Sequence, residues 1–268
     1  LLVEGGFYKT YLVKDRILNK TWAMKTCDKR HRNYSTYVKD TILQEPYMMK
    51  KLSHPMIPVV LDVLENDDSI FIIREYIEGQ SLKYIVDKYG AQPEEKVVAW
   101  GKELCDMLMY LHNQTPSHIY RDMKPANVIL MKNEHLKVID FGIVRMYDKG
   151  KRGDTCCLGT KGYAAPEQFG GYGQTDARTD IFGLGMTMHH LVTGCNPTEP
   201  PYETKPIREV NPSLSKGLEY IISKCIEPNP DNRYQSVKEL LDDLNDYTNL
   251  PKSKSLFAKL FGKKKETK

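Results

Sequence analysis

The chain has 268 residues, of which 40% are hydrophobic and 28% charged, and its formal net charge at pH 7 is +4. These values are typical of a soluble globular protein with one large domain or two lobes that share a cleft, and no apolar run is long enough to cross a bilayer. Residues 251–268 hold seven lysines and one glutamate, which leaves residues 1–250 at about −2 and argues against a nucleic-acid-binding body.

The first part of the chain is predicted to form strands. Alternating and β-branched side chains predict them at residues 11–13, 21–25, 59–64 and 70–76, with a turn at residues 66–68. Between the second and third strands, residues 39–52 repeat apolar side chains at helical spacing. Pro46 within this stretch removes a backbone hydrogen bond, so we expect that helix to begin late or to bend at Pro46.

After Gly79 the apolar residues recur at helical spacing. Helices are predicted at residues 81–89, 94–112, 179–193, 215–225 and 236–247, and short strands at residues 128–130 and 136–138. The layout is a small β-rich part with one helix, followed by a larger and mainly helical part. No internal repeat interrupts it.

The six cysteines are scattered, with no CxxC motif and no partnering histidine spacing, which argues against a zinc site and against a disulfide scaffold. A reducing cytosol suits such a chain. The first residue is Leu1 rather than Met, and no signal-peptide pattern precedes the first strand. We therefore expect the sequence to be a segment of a longer protein.

One motif carries most of the functional information. Residues 119–127 read Ile-Tyr-Arg-Asp-Met-Lys-Pro-Ala-Asn, and residues 140–142 read Asp-Phe-Gly. The carboxylate of Asp122, the ammonium of Lys124 and the amide of Asn127 can converge on one phosphoryl group, while the later aspartate can supply an oxygen ligand for the magnesium that accompanies ATP. The pattern indicates phosphoryl transfer.

These residues resemble the catalytic loop and the metal-binding triplet of the protein kinase family, with Tyr120 where most members have histidine. The chain is similar to bacterial members of the eukaryotic-like serine/threonine kinases over residues 3–247. The resemblance implies a bilobal α+β kinase fold. It places a small β-rich N-lobe with one helix at residues 1–76, a larger, mainly helical C-lobe at residues 77–250, and a basic tail at residues 251–268.

The resemblance also implies a role for each residue of the motif. Asp122 would accept or orient the proton of the attacking hydroxyl, and Lys124 would stabilise the γ-phosphate in transit. Asn127 and Asp140 would hold Mg²⁺, with Mn²⁺ as an alternative. A lysine at the position of Lys124 is the form seen in serine/threonine kinases. The implied function is transfer of the γ-phosphate of ATP to serine or threonine hydroxyls of proteins, the chain itself included.

Upstream, the stretch around Lys25 resembles the strand whose lysine contacts the α- and β-phosphates, and Glu45 would hold that lysine by an ion pair. A lone lysine or glutamate is more often a solvated surface charge, so both assignments depend on their order before the stronger motif. The resemblance implies nucleotide contacts at Val3, Gly5, Gly6, Thr10, Ala23, Lys25, Glu75, Ile77, Ile129 and Asp140.

The phosphate-covering loop departs from the family pattern GxGxxGxV. Of its three glycines only the middle one, Gly5, is kept, with Gly6 beside it, and Thr10 stands where valine packs on adenine. Taken alone, this stretch is an ordinary strand-turn-strand. Because the charged and amide residues of the site are all present, we expect activity with weakened ATP affinity. The alternative is a catalytically silent pseudokinase that acts as a nucleotide-binding scaffold.

Residues 159–167 resemble the end of a kinase activation segment, whose closing Glu167 would pair with Arg233. Asp180 matches the helix position that anchors the catalytic loop, and Thr160 is expected to be a structural hydroxyl near the catalytic residues. A small-molecule phosphotransferase of related fold would share the catalytic core but would not need this segment, which positions a polypeptide. Protein substrates are therefore favoured.

Arg74 is the least expected residue of the site. Alignment with the family hinge places it at the back of the adenine pocket, where apolar side chains are usual. Because a lone buried charge is costly, we expect Arg74 to reach Glu45 or Asp140 and to compete with Lys25 for Glu45.

Two regulatory features are also predicted. Arg121 resembles the arginine on which a phosphorylated activation segment docks, which makes Thr155 the predicted phosphosite, the alternative being a solvated loop threonine. In residues 251–268 apolar side chains share one helical face among lysines, a pattern suited to an anionic membrane surface, although lysine-rich ends are often solvated and disordered. The expected location is the cytoplasm, either free or at the inner face of the cell membrane.

Overall fold

The computed structural model of the chain describes residues 1–4, 8–17, 19–31, 36–141, 144–146, 159–170 and 174–250. Two compact units make up the chain. The first combines Leu1–Gln80 with Ile129–Gly142, and the second combines Ser81–Val128 with Ile143–Lys268. Among the residues that the structure describes, the first unit is rich in strands and has one helix, whereas the second is mainly helical. The predicted α+β class is therefore confirmed.

The elements are numbered in chain order. The strands are β1 (Val3–Glu4), β2 (Tyr8–Lys14), β3 (Thr21–Asp28), β4 (Val60–Glu65), β5 (Ser69–Glu75), β6 (Gly79–Ser81), β7 (His118–Ile119), β8 (Val128–Met131), β9 (Leu136–Val138) and β10 (Arg145–Met146). The helices are α1 (Thr36–Met49), α2 (Leu82–Tyr89), α3 (Glu94–His112), α4 (Ala177–Thr193), α5 (Ile207–Val210), α6 (Lys216–Cys225) and α7 (Val237–Asn245).

The first unit is built on an antiparallel sheet of order β1-β2-β3-β5-β4. Its interior is apolar, since Cys27 of β3, Ile42 of α1, and Ile70 and Ile72 of β5 pack together with at most 4% exposure. The side chain of Asn66 caps the turn between β4 and β5 by accepting hydrogen bonds from two backbone N–H groups. This register aligns Lys25 of β3 with the middle of β5.

The pair β8 and β9 belongs with the first unit, although the predicted C-lobe of residues 77–250 included it. The two strands form a three-stranded sheet with β6, in the order β6-β8-β9. Val138 at the end of β9 also donates its backbone N–H to the carbonyl of Met56 at 2.9 Å. These pairings group residues 129–142 with the N-terminal segment. A single boundary after residue 76 separates these two parts of the chain.

Helix α1 begins at Thr36, ten residues before Pro46, so of the two predicted alternatives, a late start or a bend at Pro46, the late start is wrong. Pro46 lies in the last turn, and its carbonyl accepts the backbone N–H of Lys50. A proline at this position has no N–H to donate to the carbonyl of Ile42 one turn earlier, so the helix carries a local cost there. Glu45, immediately before it, is thereby carried on the helix.

The second unit is organised around α4, which is buried along nearly its whole length and packs against α3 and α6. Serine or aspartate side chains cap the N-termini of α2, α4, α6 and α7. Ser81, Ser215 and Ser236 were predicted as first helical residues but are the N-caps of α2, α6 and α7, each accepting a backbone N–H of the first turn. Helix α3 has the predicted bounds.

Close packing within this unit depends on one glycine in particular. A Cβ atom on Gly185 of α4 would lie 2.5 Å from the Cβ of Cys225, so only glycine lets α4 and α6 approach this closely. None of the helices in the described part of the chain combines the length and apolarity that crossing a membrane requires.

Candidate active site

Lys25 and Glu45 form an ion pair within the first unit, as the sequence predicts. The Nζ of Lys25 lies 2.8 Å from Oε2 of Glu45, and the two side chains are 15% and 6% exposed. Burial by itself lowers the pKa of Lys25, but the carboxylates of Glu45 and Asp140 outweigh it, so that the pKa lies above its ordinary value. Lys25 therefore keeps its positive charge at neutral pH, as a phosphate-binding residue requires.

Glu45 also contacts Arg74 and the segment that follows β9. Its Oε1 accepts the backbone N–H of Phe141 at 3.4 Å and lies 3.5 Å from Nη1 of Arg74, which donates to the carbonyl of Ile139 at 2.5 Å. The prediction that Arg74 reaches Glu45 is confirmed. Because Lys25 and Arg74 face different oxygens of the carboxylate, they share Glu45 and do not compete for it.

The other predicted nucleotide contacts in the described part of the first unit lie on its strands or just after them. Ala23 is buried on β3, and Thr10 on β2 pairs with Lys25. Ile77, after β5, and Ile129, on β8, are half-buried. Gly5 and Gly6 lie outside the described residues, as do the side chain of Val3, the glycine of the Asp-Phe-Gly triplet and Thr155.

Glu75 has a side-chain role that the sequence does not reveal. Its two carboxylate oxygens accept from Nζ of Lys137 at 2.8 and 2.6 Å, and one of them also accepts the backbone N–H of Val59 at 3.2 Å. The ion pair joins the end of β5 to β9. These contacts give the carboxylate of Glu75 a structural role in the first unit.

In the second unit, the catalytic-loop residues form one connected network. Oδ2 of Asp122 accepts from Nζ of Lys124 at 2.7 Å and from Nδ2 of Asn127 at 2.8 Å, while Oδ1 accepts from the hydroxyl of Thr160 at 2.8 Å. Lys124 also donates to Thr160 at 2.7 Å. The expectation that the hydroxyl of Thr160 lies beside Asp122 and Lys124 is confirmed.

Asp180 on α4 holds the loop in this shape. Its carboxylate, 1% exposed, accepts the backbone N–H groups of Tyr120 and Arg121 at 2.9 and 2.7 Å and a hydrogen bond from Nε2 of His112 at 2.7 Å. Arg121 has φ +66°, a left-handed conformation that a non-glycine residue adopts only when its surroundings hold it there. The three hydrogen bonds to Asp180 supply that restraint, one residue before Asp122.

Asn127 has the oxygen that a magnesium ligand needs. Its Nδ2 donates to both the backbone carbonyl and the carboxylate of Asp122, at 3.0 and 2.8 Å. Since both partners are acceptors, the amide nitrogen must face them, which turns Oδ1 to the other side. The carboxylate of Asp140, in the first unit, is another hard oxygen donor of the kind that Mg²⁺ prefers.

The segment at residues 159–170 is attached to the catalytic loop and to the interior of the helical unit. Gln168 is buried and donates from Nε2 to the carbonyl of Arg121 at 2.9 Å. The carboxylate of Glu167 forms a two-pronged ion pair with Arg233, with distances of 2.7 and 2.9 Å. The predicted Glu167–Arg233 pair is confirmed, whereas the contribution of Gln168 had no signal in the sequence.

Substitution of Thr160 by valine tests the network around Asp122. Valine has nearly the same shape but cannot bridge Asp122 and Lys124, so we expect kcat to fall about 10- to 100-fold through loss of orientation. Thr160→Ser, which keeps the hydroxyl, is the matched control and is expected to stay within about threefold of the parent. Steady-state kinetics with MgATP and a protein substrate would check this, and equal kcat values for both variants would contradict it.

A second contact of the same segment links Tyr163 to α4. The hydroxyl of Tyr163 and Nδ1 of His190 form a hydrogen bond at 2.6 Å, and both side chains are buried. Burial lowers the pKa of His190 to about 4 and raises that of Tyr163 above its ordinary value. His190 is therefore neutral in the folded chain at neutral pH. No spacing pattern in the sequence indicates this pair.

The depressed pKa of His190 predicts acid sensitivity. In the unfolded chain His190 titrates near 6.5, so between pH 6.5 and 4 the unfolded state binds more protons and stability falls as the pH drops. Burial also lowers the pKa of His189, so this residue likewise makes the folded chain less stable as the pH drops. We expect His190 alone to cost the parent about 1–2 kcal/mol of unfolding free energy between pH 8 and pH 5.

Urea denaturation of the parent and of His190→Gln at pH 8, 6.5 and 5 would measure this loss. Glutamine removes the titrating group, so its stability should depend less on pH than that of the parent. Parallel pH profiles for the two proteins would show that His190 does not contribute.

Comparison with known proteins agrees with this geometry. The family model for the protein kinase domain matches residues 2–244. A probable serine/threonine-protein kinase of Clostridium perfringens is 33% identical over 253 residues, which cover 90% of this chain and 36% of that protein. The serine/threonine-protein kinases PknB of Mycobacterium leprae and Mycolicibacterium smegmatis are 30% and 32% identical over 91% of this chain and 41% of their own length.

The chain thus spans roughly two-fifths of the length of these curated relatives. The matched residues extend over both compact units and include Asp122, Asn127, Asp140, Glu167 and Arg233. On this evidence the chain belongs to the protein kinase domain family.

Proposed function

We propose that this chain transfers the γ-phosphate of ATP to serine or threonine hydroxyls of proteins, its own included. The observation that carries the proposal is the network in which Asp122 accepts from Lys124, Asn127 and Thr160. The network fixes a carboxylate in place and sets a lysine 2.7 Å from it. Such an arrangement serves a transfer in which a hydroxyl loses a proton while negative charge moves on a phosphate.

Each residue has one task in this proposal. The carboxylate of Asp122 can accept a hydrogen bond from the substrate hydroxyl besides those it already accepts, which orients the oxygen for attack and receives its proton. Lys124 stabilises the charge on the transferred phosphoryl group. Lys25, charged and held by Glu45, binds the phosphates that stay behind.

The metal assignment rests on the donor atoms. Asn127 through Oδ1 and Asp140 through its carboxylate would hold Mg²⁺, or Mn²⁺ in its place. When bound, the ion neutralises charge on the phosphate oxygens. The remaining assignments, nucleotide contacts along β1–β3 and around residues 75–77 and 129, form part of the same proposal.

Labelled ATP tests this proposal. The parent chain and Asp122→Asn, purified side by side, would be incubated with magnesium, γ-labelled ATP and a mixture of protein acceptors, followed by phosphoamino-acid analysis. We expect label on serine and threonine, and on the chain itself, with the parent alone. Equal label with both proteins would point to a contaminating kinase and would favour the alternative function, a nucleotide-binding scaffold, which the degenerate loop at residues 3–10 suggests.

We further propose that residues 251–268, which lie outside the described residues, bind anionic membrane surfaces and place the domain at the inner face of the cell membrane. Seven lysines stand there among apolar residues, and each basic residue near such a surface adds about 1 kcal/mol of attraction. Sedimentation with phosphatidylserine vesicles, with and without residues 251–268, tests this. Equal sedimentation of both proteins would refute it.

A further inference from the structure

Arg74 occupies an unusual place for a charged residue. It lies next to the last residue of β5, its side chain is only 13% exposed, and it is paired in register with Ala23 of β3. An arginine taken out of water in this way requires acceptors for its guanidinium. The structure provides them on two other segments, helix α1 and the residue that follows β9.

The first acceptor is the backbone carbonyl of Ile139, 2.5 Å from Nη1. Ile139 immediately precedes Asp140, the proposed metal ligand, so Arg74 restrains the peptide bond that leads into that residue. The carbonyl is an acceptor only, and a methionine or leucine at position 74 would offer it no donor.

The second acceptor is Glu45. Its Oε2 is bound by Lys25 at 2.8 Å, while Oε1 faces Nη1 of Arg74 at 3.5 Å and the N–H of Phe141 at 3.4 Å. Glu45 is 6% exposed, so its negative charge is nearly removed from water and is stabilised by two cations. Asp140 is the second carboxylate that acts on Lys25, which gives the cluster two positive and two negative groups.

This sharing matters when nucleotide binds. Under the proposed function, Lys25 must contact the phosphates, which divides its attraction between the triphosphate and Glu45. If Lys25 were the sole cation beside Glu45, contact of Lys25 with the phosphates would weaken the ion pair that holds α1 in place. Arg74 approaches the other oxygen of the carboxylate and keeps that contact whatever Lys25 does.

We propose that Arg74 is a positioning residue that holds Glu45 of α1 and the peptide bond before Asp140 in the arrangement that MgATP requires, independently of Lys25. This inference rests on the proposed function for its kinetic consequences. Its structural consequence, the anchoring of α1 without Lys25, does not depend on catalysis.

Hydrogen exchange tests the structural part without nucleotide. In Arg74→Met, amides of residues 42–49 are expected to exchange at least about fivefold faster than in the parent, since α1 loses a fixed contact. In Lys25→Met the same amides should stay within about twofold, because Arg74 still holds Glu45. The control is Arg30→Met. Arg30 lies in the same unit, is 69% exposed and pairs with Asp28, so its replacement should leave the exchange of these amides unchanged.

Kinetics test the positioning part. Arg74→Met is expected to raise KM for MgATP about tenfold or more with a smaller effect on kcat, and Arg74→Lys, which keeps the charge, should recover most of that loss. In a Glu45→Gln background, Arg74→Met should add less than about threefold, because its partner has already lost its charge. If Arg74→Met does not fold, Arg74→Lys serves as the test variant. Its KM for MgATP is expected to be about two- to fivefold above that of the parent, because lysine lacks the planar guanidinium that contacts both acceptors.

Three results would overturn the inference. The first is faster exchange at residues 42–49 in Lys25→Met but not in Arg74→Met, and the second is an unchanged KM for MgATP in folded Arg74 variants. The third is an equal rise in KM from Arg74→Met in the parent and in the Glu45→Gln background. A parent chain without kinase activity would refute the proposed function alone. The exchange comparison would still decide whether Arg74 holds Glu45.

Discussion

Replacement of Asp122 by asparagine is expected to lower kcat by about 10²- to 10⁴-fold while MgATP binding changes little. Asparagine has the same shape and can still accept from Lys124 or Thr160, but it cannot take a proton from the substrate hydroxyl and carries no charge. The loss should therefore appear in the transfer step. Steady-state kinetics with a protein substrate, at saturating MgATP, measure it.

The control is Asp242→Asn, which removes an exposed carboxylate of α7 whose contact is the surface lysine Lys238 four residues earlier. Its kcat should match that of the parent. A kcat for Asp122→Asn within threefold of the parent would contradict the assigned role of Asp122.

Replacement of Arg233 by methionine is expected to cost about 3–5 kcal/mol of unfolding free energy, because it leaves Glu167 charged and buried without its partner. The two side chains are 0% and 2% exposed. Arg233 also donates to the backbone carbonyls of Glu227, Pro228 and Arg178, and these acceptors would be left unsatisfied as well. Urea denaturation at pH 7.5 measures the change.

Two further variants serve as comparisons for the stability loss in Arg233→Met. Lys238→Met removes an exposed member of an ion pair on α7 and should change stability by less than about 0.5 kcal/mol. Arg233→Lys keeps the charge but not the two-pronged geometry, so it should fall between methionine and the parent. A loss below about 1 kcal/mol for Arg233→Met would show that the pair contributes little to the fold.

Where a residue's position follows from a motif of fixed spacing, the sequence predicts its contacts. Lys25 with Glu45, Glu167 with Arg233, and Asp180 with the catalytic loop all pair as expected. Each pair joins segments far apart in sequence, so periodicity alone could not have found them. The resemblance to the kinase family supplied the pairing, and local patterns supplied the helices and strands on which the residues lie.

Other features could not be predicted because no local pattern encodes them. The ion pair between Glu75 and Lys137 and the hydrogen bond between Tyr163 and His190 join residues that have no motif in common. The grouping of residues 129–142 with the first unit depends on strand pairing across the chain. Short elements such as β6, β7 and α5 contain too few residues for a periodicity to show.

The start of α1 illustrates a competition between two principles. Proline disfavours a helix interior, which is why the sequence predicts a late start or a bend at Pro46. The helix instead forms ahead of Pro46, and its buried residues Ile42, Glu45 and Met49 face the interior of the first unit. Tertiary packing of that face outweighs the local cost at Pro46.

The most direct test of the central claim separates nucleotide binding from phosphoryl transfer in a single variant. MgATP affinity would be measured by calorimetry, and single-turnover transfer by rapid quench, on the parent and on Asp122→Asn. We predict affinities within about twofold of each other and a transfer rate at least about 100-fold slower in the variant. Equal transfer rates in the two proteins would contradict the account.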